Sequence, residues 1–306
     1  ALFHAISAYC NAGFSTFSDN LVGLSDSAAS LIIISLLIIV GGLGYLTFEE
    51  LMRWWRTARA KRTGVRLIVR GQHRLSSHTW AVVVTTVALL VLGWVLFAIF
   101  EWNDTLAGKS VFDKLVNAWF MSVTPRTAGF NAIDYGQVGN DTATLTMMMM
   151  LVGGSPGSTA GGIKTTTLAV LVALGLSRIR GKRYVELKGR SIPPGTIERS
   201  VGILLLAVLV LAVAFFILSA IESVGTSAAE TRQQFLPILF ETISAFATVG
   251  VSMNLTPVLH PASKLVVVAL MFIGRVGLLS FFTAVTMRRA TAATYVRAAQ
   301  EDVIVG

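Results

Sequence analysis

Long apolar runs alternate with short polar or charged segments along the whole chain. The runs at 79–100, 201–221 and 265–287 each reach the roughly 20 residues that a helix needs to cross a bilayer, and the run at 28–48 does so less cleanly. This pattern predicts an all-α membrane protein that crosses the bilayer several times.

Three shorter stretches resemble one another, and each precedes a further apolar run. They are LFHAISAYCNAGFS (2–15), AWFMSVTPRTAGFN (118–131) and LFETISAFATVGVS (239–252). Aligned without gaps, they share a glycine and, ten positions earlier, an aromatic residue: Gly13 with Phe3, Gly129 with Trp119, and Gly250 with Phe240. A second glycine-rich group follows each shared glycine after 28, 24 and 24 residues, at GGLG (41–44), GGSPG (153–157) and GRVG (274–277). The aromatic residue, the shared glycine and the later glycine-rich group have similar spacing in all three stretches, which indicates an internal repeat.

Each complete unit is predicted to contain a spanning helix, a short half-helix, a loop and a second spanning helix. The half-helices are too short to span, so we expect the loops to re-enter the membrane and to line a central ion pore, where unpaired backbone is tolerated. The first visible unit lacks its first helix, and we expect the chain to begin partway through a larger protein. Numbering the three visible units as repeats two to four, the predicted segments are 1–48 (half-helix, filter loop and second helix of repeat two), 49–78 (basic loop), 79–177 (repeat three, with a broken second helix), 178–199 (basic loop), 200–287 (repeat four) and 288–306 (C-terminal tail).

Composition supports the membrane assignment, because 54% of the residues are hydrophobic and only 13% are charged. The net charge is +9, and 18 of the 25 Lys and Arg lie in three clusters: eight in 53–74, seven in 178–199 and three in 288–297. Each cluster directly follows an apolar segment, which marks cytoplasmic loops by the positive-inside rule and argues against nucleic-acid binding. The re-entrant loops are then expected to open toward the outside.

The repeated loops have the chemistry of a cation filter. A dehydrated monovalent cation needs rings of backbone carbonyls, and glycine permits the φ values that aim adjacent carbonyls the same way. Half-helices that point their carbonyl ends at the loops also favour a cation. A single Thr-Val-Gly is more often a simple turn, but three aligned copies reverse that interpretation. The predicted filter residues are Asn11, Ala12, Gly13, Thr127, Ala128, Gly129, Thr248, Val249 and Gly250.

Arg275 stands in the middle of an apolar segment, ALMFIGRVGLLSFF. A charge at the bilayer centre costs about 2.5–3.5 kcal/mol on insertion scales, so the residue needs a reason to be there. One alternative is a structural role, with the guanidinium bonded to carbonyls of a neighbouring helix. The other is that Arg275 faces the permeation path below the filter and acts as an electrostatic gate.

The sequence VGGSPGSTAGGIKTTT (152–167) interrupts a spanning helix. Its glycines resemble a phosphate-binding loop, but Ile163 separates Gly162 from Lys164 and no strand precedes the loop, so nucleotide binding is not expected. Flexible backbone of small residues suits a mobile constriction under the filter, and a static kink is the alternative. The predicted gate comprises Arg275 with Gly153, Gly154, Ser155, Pro156, Gly157, Ser158, Thr159, Ala160, Gly161, Gly162 and Lys164.

These motifs resemble the Trk/Ktr/HKT superfamily of potassium transporters. The resemblance is carried by NAGFS (11–15), TPRTAGFN (124–131), GGSPGSTAGGIKTTT (153–167) and the Arg275 segment, and it covers essentially the whole chain. Within the superfamily, the ending EDVIVG and the compact loops are most similar to KtrB, the membrane subunit of bacterial Ktr potassium uptake systems.

The resemblance implies four helix–loop–helix units around one pore, with Gly13, Gly129 and Gly250 as three of four filter glycines and the fourth before Ala1. It also implies potassium uptake across a bacterial plasma membrane, a homodimer, and a cytoplasmic KtrA-like ring that binds the regulatory nucleotide. No covalent cofactor is implied for this chain. A less selective sodium/potassium pathway, or a Trk-type relative with a different regulator, is the alternative within transport.

Two alternatives come from other classes. A purely structural membrane subunit is one. An intramembrane enzyme is the other, and it would need a nucleophile with a paired base. Only His4 and Glu241, at neighbouring positions of two half-helices, offer the chemistry, and nothing in the sequence clearly pairs with either.

Overall fold

The computed structural model describes residues 1–62 and 75–277, without the side chains of 60–62. This part of the chain is mostly helical, as predicted. The helices are α1 (Leu2–Tyr9), α2 (Ala28–Gly42), α3 (Tyr45–Arg62), α4 (Ser77–Glu101), α5 (Val111–Val123), α6 (Asn140–Leu151), α7 (Thr165–Ile179), α8 (Pro194–Glu222), α9 (Ala228–Ala247) and α10 (Pro261–Val276). A small antiparallel hairpin of β1 (Glu186–Leu187) and β2 (Arg190–Ser191) lies within the second basic loop.

Within residues 1–62 and 75–277, two helices are long and apolar enough to cross a membrane by themselves. They are α4, with 25 residues, and α8, with 29, and they contain the predicted runs 79–100 and 201–221. The Ser76 side chain caps α4 by accepting a hydrogen bond from the Thr79 amide at 3.1 Å, and Pro194 opens α8 at a position where its missing N–H costs nothing. They are the helices that the sequence analysis places at the start of repeats three and four.

The run at 28–48 is not one straight helix, contrary to the sequence-based expectation. It breaks after Gly42, and α2 and α3 meet at 104°. Gly44 has φ +78°, which glycine adopts readily, and a Cβ at this position would lie 2.6 Å from the carbonyl oxygen of Pro156. We call residues 41–45 the elbow. The chain can turn here because Gly44 adopts a positive φ and leaves space for the loop that contains Pro156.

Two further elements differ in length from expectation. Helix α9 has 20 residues rather than the length of a short half-helix, because a capping box of Ser227 and Glu230 starts it early. Only its last eight residues, from Phe240 to Ala247, are buried without interruption. The predicted span at 265–287 is described as α10 up to Val276. The rest of that span, the tail at 288–306 and part of the first basic loop lie outside the described residues.

The units pack in a consistent order. The second helix of repeat two, α2, packs on the half-helix of repeat three, α5; likewise α6 of repeat three packs on α9 of repeat four. The two ends of this arc leave apolar side chains exposed on α1 and α10. They include Leu2, Ile6, Leu265, Val268 and Phe272. The three units therefore form an open arc whose free faces are apolar at both ends.

Candidate ion pore

The three glycines that the repeat aligns lie together in the fold. A Cβ placed on Gly13 would lie 2.7 Å from the Cα of Gly129, and a Cβ placed on Gly250 would lie 3.9 Å from the same Cα. A Cβ on Gly129 would lie 2.3 Å from the carbonyl oxygen of Val249. The loops thus converge on one point, and the approach of the backbones leaves no room for a side chain on Gly13 or Gly129.

Each loop also has the same backbone conformation. The shared glycines have φ of +71°, +81° and +93°, and the residues two positions earlier have φ of +50° at Asn11, +68° at Thr127 and +55° at Thr248. Positive φ is uncommon for any residue but glycine and is a genuine outlier for the β-branched Thr. Sequence reasoning predicted positive φ for the glycines alone. The same unusual conformation at a second position in three loops indicates that they share one structural plan.

A hydroxyl in the half-helix holds each loop from behind. Ser7 Oγ donates to the carbonyl oxygen of Phe14 at 2.9 Å, and Ser244 Oγ donates to that of Val251 at 2.6 Å. In repeat three Thr124 Oγ1 donates to the carbonyl oxygen of Phe130. In every case the acceptor belongs to the residue after the shared glycine. These bonds fix the outer end of each loop, and sequence reasoning missed them.

The carbonyl oxygens of 11–13, 127–129 and 248–250 remain open. Apart from Gly129, whose oxygen accepts from Asn20 Nδ2 at 3.4 Å, none of them accepts a hydrogen bond from a described residue. The Oγ1 atoms of Thr127 and Thr248 are also buried without a partner in the described chain. Buried oxygens normally have partners, so a cluster of open ones is suited to a cation that has shed its water.

The glycine-rich loop at 152–164 lies directly against the threonines of two of these loops. A Cβ on Gly161 would lie 2.1 Å from Thr248 Oγ1, and a Cβ on Gly153 would lie 3.1 Å from Thr127 Cγ2. The base of the loop is closed by backbone bonds, since the Gly153 amide donates to Ile163 at 2.9 Å and the Ile163 amide donates to Leu151 at 3.2 Å. The glycine-rich loop is therefore packed against the loops of repeats three and four.

The same loop is bonded to the elbow of repeat two. The backbone bonds join the Ser155 amide to the Gly42 carbonyl at 2.9 Å, the Thr159 amide to the Gly41 carbonyl at 3.4 Å, and the Tyr45 amide to the Gly157 carbonyl at 3.3 Å. The non-helical segments that interrupt the helices of two different units thus supply hydrogen-bond partners for each other's backbone. Such mutual pairing is what non-helical backbone at membrane depth requires.

Arg275 lies beside the gate loop. Gly274 brings α10 against the end of α9, since a Cβ there would lie 1.8 Å from the carbonyl oxygen of Phe246. The Arg275 side chain is exposed and close enough to Lys164 for the two positive charges to repel. Lys164 Nζ donates to the Ala160 carbonyl at 2.5 Å, whereas Arg275 donates to no acceptor in the described ranges. The bond to a neighbouring helix that a structural role requires is therefore not found among these residues.

Comparison with known proteins identifies the family. The family model of TrkH, described as a cation transport protein, matches residues 1–292. This chain belongs to the TrkH family. It is 35% identical to the potassium/sodium uptake protein NtpJ of Enterococcus hirae over 100% of this chain and 64% of that protein. It is 35% identical to the Ktr system potassium uptake protein B of Bacillus subtilis over 92% of this chain and 58% of that protein.

A solved structure of the same family has the same fold. The potassium transporter TrkH from Vibrio parahaemolyticus matches with a TM-score of 0.69 at 20% identity, over 94% of this chain and 57% of that one. The chain thus spans roughly three fifths of the relatives it matches. The resemblance to the Trk/Ktr superfamily is confirmed. Because the TrkH family comprises cation transport proteins, the enzyme alternative is set aside.

Arg126 is a residue of this TrkH-family chain that sequence reasoning did not single out. It is 8% exposed and lies immediately before the filter segment of repeat three. Its guanidinium donates to the carbonyl oxygen of Gly153 at 3.2 Å and contacts Thr86 Oγ1 at 3.4 Å. A buried cation thereby ties the loop of repeat three to the glycine-rich loop at 152–164. The aligned positions are Cys10 and Ala247, so the repeat offers no signal for it.

We expect Arg126→Gln to lower the free energy of unfolding by about 1.5–3 kcal/mol, the typical worth of a hydrogen bond to a charged group. Thermal denaturation of the full-length protein in detergent measures this. Arg199→Gln, which removes an exposed cation from α8, is the control and is expected to leave the melting temperature unchanged. Equal melting temperatures for the two variants would contradict the role given to Arg126.

The acidic and imidazole groups behind the filter do have partners, which corrects the sequence-based interpretation. His4 Nε2 lies 3.0 Å from Ser15 Oγ. Glu241 accepts from Ser252 Oγ at 2.7 Å and from Thr256 Oγ1 at 2.6 Å. Ser15 and Ser252 occupy aligned positions two residues after the shared glycines. In repeats two and four the half-helix therefore holds its loop at a second point.

Proposed function

We propose that this chain forms three quarters of a potassium-selective uptake pore, in which the segments 11–13, 127–129 and 248–250 make up the selectivity filter. The observation that carries the proposal is the convergence of three loops whose carbonyl oxygens have almost no protein partner. Carbonyls held in this way replace the hydration shell of a monovalent cation. The hydroxyl bonds behind the loops supply the rigidity that discrimination between ions of different size needs.

A fourth unit belongs between α1 and α10. The exposed apolar faces at the two ends of the arc support this, since each needs a packing partner within the membrane or the protein. In our proposal the fourth filter segment comes from that unit and completes the ring of carbonyls. The relatives, which are longer than this chain, are compatible with such a unit.

The gate consists of the loop 153–164 and Arg275. The loop lies against the inner side of the filter, and Arg275 together with Lys164 places two positive charges near the path. A cation that leaves the filter meets this barrier, and displacement of the loop removes it. We further propose a homodimer in a bacterial plasma membrane, with the basic loops cytoplasmic and facing a KtrA-like, nucleotide-binding ring.

Uptake of radioactive rubidium into liposomes that contain the full-length protein tests the proposal. We expect potassium to compete with rubidium and sodium to compete poorly. Gly250→Ser should reduce this difference between the two ions. The new side chain has room, since its Cβ would lie 3.9 Å from the Gly129 Cα, but residues other than glycine rarely adopt φ +93°, so the backbone of the loop should shift. Gly225→Ser, at φ +80° in open space outside the filter, is the matched control.

The alternative is a pathway that passes sodium and potassium alike. It is favoured by the similarity to NtpJ, which is named as a potassium/sodium uptake protein. Equal competition by the two ions in the rubidium experiment would favour this alternative over a potassium-selective filter. Absence of uptake when the protein is reconstituted with its regulatory partner would contradict both.

A further inference from the structure

A groove about 520 Å³ in volume separates α4 from α7 on the outside of repeat three. One wall is α4 from Trp80 to Leu92, and the other runs from Leu168 in α7 to Arg180, the residue that follows this helix. The walls are apolar and open to the surroundings, with Leu92 51% and Val172 52% exposed. The groove is separate from the filter and from the gate loop, and the proposed transport function leaves it without a role.

The length of the groove matches one leaflet of a bilayer. Each wall covers 13 residues, and the 12 steps of 1.5 Å between its first and last residue give about 18 Å. Half of a hydrocarbon core that is about 30 Å thick is about 15 Å. Trp80 stands at the end nearest the basic loop, the depth at which tryptophan prefers the boundary between lipid and water. An acyl chain lying in the groove would place its headgroup at that end.

The headgroup end is positively charged. Arg180, Lys182 and Lys188 line the groove there, with Glu186 as the accompanying carboxylate. Lys182 pairs with Glu186 at 3.4 Å, and Lys188 Nζ donates to the Leu75 carbonyl at 2.7 Å. Arg180 donates to no acceptor in the described part of the chain, so its guanidinium is available to a phosphate. Basic pockets between spanning helices are suited to anionic lipid headgroups.

We propose that this groove binds an anionic glycerophospholipid from the leaflet next to the basic loops. The apolar walls take an acyl chain, and Arg180, with Lys182 and Lys188, binds the phosphate. A zwitterionic lipid can fill the same walls but gains less from the cations. The hairpin of β1 and β2 carries Lys188 and closes the headgroup end, which gives a reason for ordered strands within an otherwise hydrophilic loop.

Fluorescence of Trp80 in the full-length protein tests the proposal. The protein is reconstituted in vesicles with phosphatidylglycerol or phosphatidylcholine whose chains are brominated near the glycerol, and the Trp80 signal is taken as the difference between wild type and Trp80→Phe. We expect brominated phosphatidylglycerol to quench this signal at about fivefold lower mole fraction than brominated phosphatidylcholine, the preference that one basic residue near the surface gives. Trp94, taken in the same way through Trp94→Phe, reports a second apolar groove at the other end of α4 and should show no preference.

Variants separate the groove from general surface charge. Arg180→Gln alone, and with Lys182→Gln and Lys188→Gln, should abolish the preference for the anionic lipid. Arg183→Gln with Arg190→Gln and Arg199→Gln removes the same charge outside the groove and should preserve it. Equal quenching of Trp80 by both lipids in the wild-type protein would overturn the proposal. Absence of quenching by either lipid, which is expected if another protein fills the groove, would overturn it too. A preference that survives Arg180→Gln in a folded protein overturns it as well.

Discussion

Replacement of Gly129 by alanine is expected to abolish selective uptake. The new Cβ would lie 2.3 Å from the Val249 carbonyl oxygen and 3.0 Å from the Gly13 Cα, and both are backbone atoms that cannot turn aside. The residue would also have to keep φ +81°, which costs about 1–3 kcal/mol for a residue with a side chain. Since about 1.4 kcal/mol corresponds to a factor of ten, rubidium uptake should fall at least about tenfold.

Gly108→Ala is the control that distinguishes the steric clash at Gly129 from the backbone strain of a positive φ. Gly108 has φ +78°, but nothing lies within 4 Å of the position that its Cβ would take. It belongs to the segment before α5 and touches no filter atom. We expect this variant to lose some stability and to retain uptake and ion preference. Similar loss of uptake in both variants, at equal amounts of folded protein, would mean that Gly129 has no special place in the pore.

Removal of the Arg275 charge is expected to raise cation flux. At an effective dielectric constant of about 20, two like unit charges about 4 Å apart repel by about 4 kcal/mol, and the repulsion falls in inverse proportion to their distance. Arg275→Ala should therefore increase rubidium uptake about tenfold or more. Lys164→Ala should act in the same direction, because Lys164 carries the second charge near the path. The effect should shrink as salt rises, since mobile ions screen a charge that water can reach.

Lys264→Ala provides the comparison for Arg275. Lys264 is an exposed cation near the other end of the same helix, and its Nζ donates to the Pro257 carbonyl at 3.2 Å. Uptake by Lys264→Ala should equal that of wild type. Unchanged uptake by a well-folded Arg275→Ala protein would assign Arg275 to the structure rather than to the gate.

The sequence was sufficient to predict that three loops meet, because the aligned glycines mark positions where backbones must approach closely. It was not sufficient for the hydroxyl bonds behind them. Ser7 and Ser244 occupy aligned positions, but the donor in repeat three, Thr124, comes one position later, so an ungapped alignment conceals the common role. The sequence contained no signal for Arg126 either, because the aligned positions in the other two units hold no arginine.

The sequence did not predict the elbow, because a glycine within an apolar run does not reveal which φ it adopts. A single helix through 28–48 satisfies the hydrophobic pattern as well as a broken one does. What decides between them is the glycine-rich loop from another unit, which supplies partners for the carbonyls of Gly41 and Gly42. That partner is more than a hundred residues away in the chain, so local pattern alone could not predict the break.

The bond between Tyr45 and Gly157 gives α3 a mechanical role. Tyr45 is the first residue of an 18-residue helix, which at 1.5 Å per residue is a rod about 27 Å long. Because the loop is bonded to one end of this rod, a movement of the loop and a tilt of α3 are coupled. A swing of about 10° at the root carries the far end about 5 Å, by the length of the rod. Conversely, a tilt imposed at the far end of α3 would be passed to the loop through Tyr45.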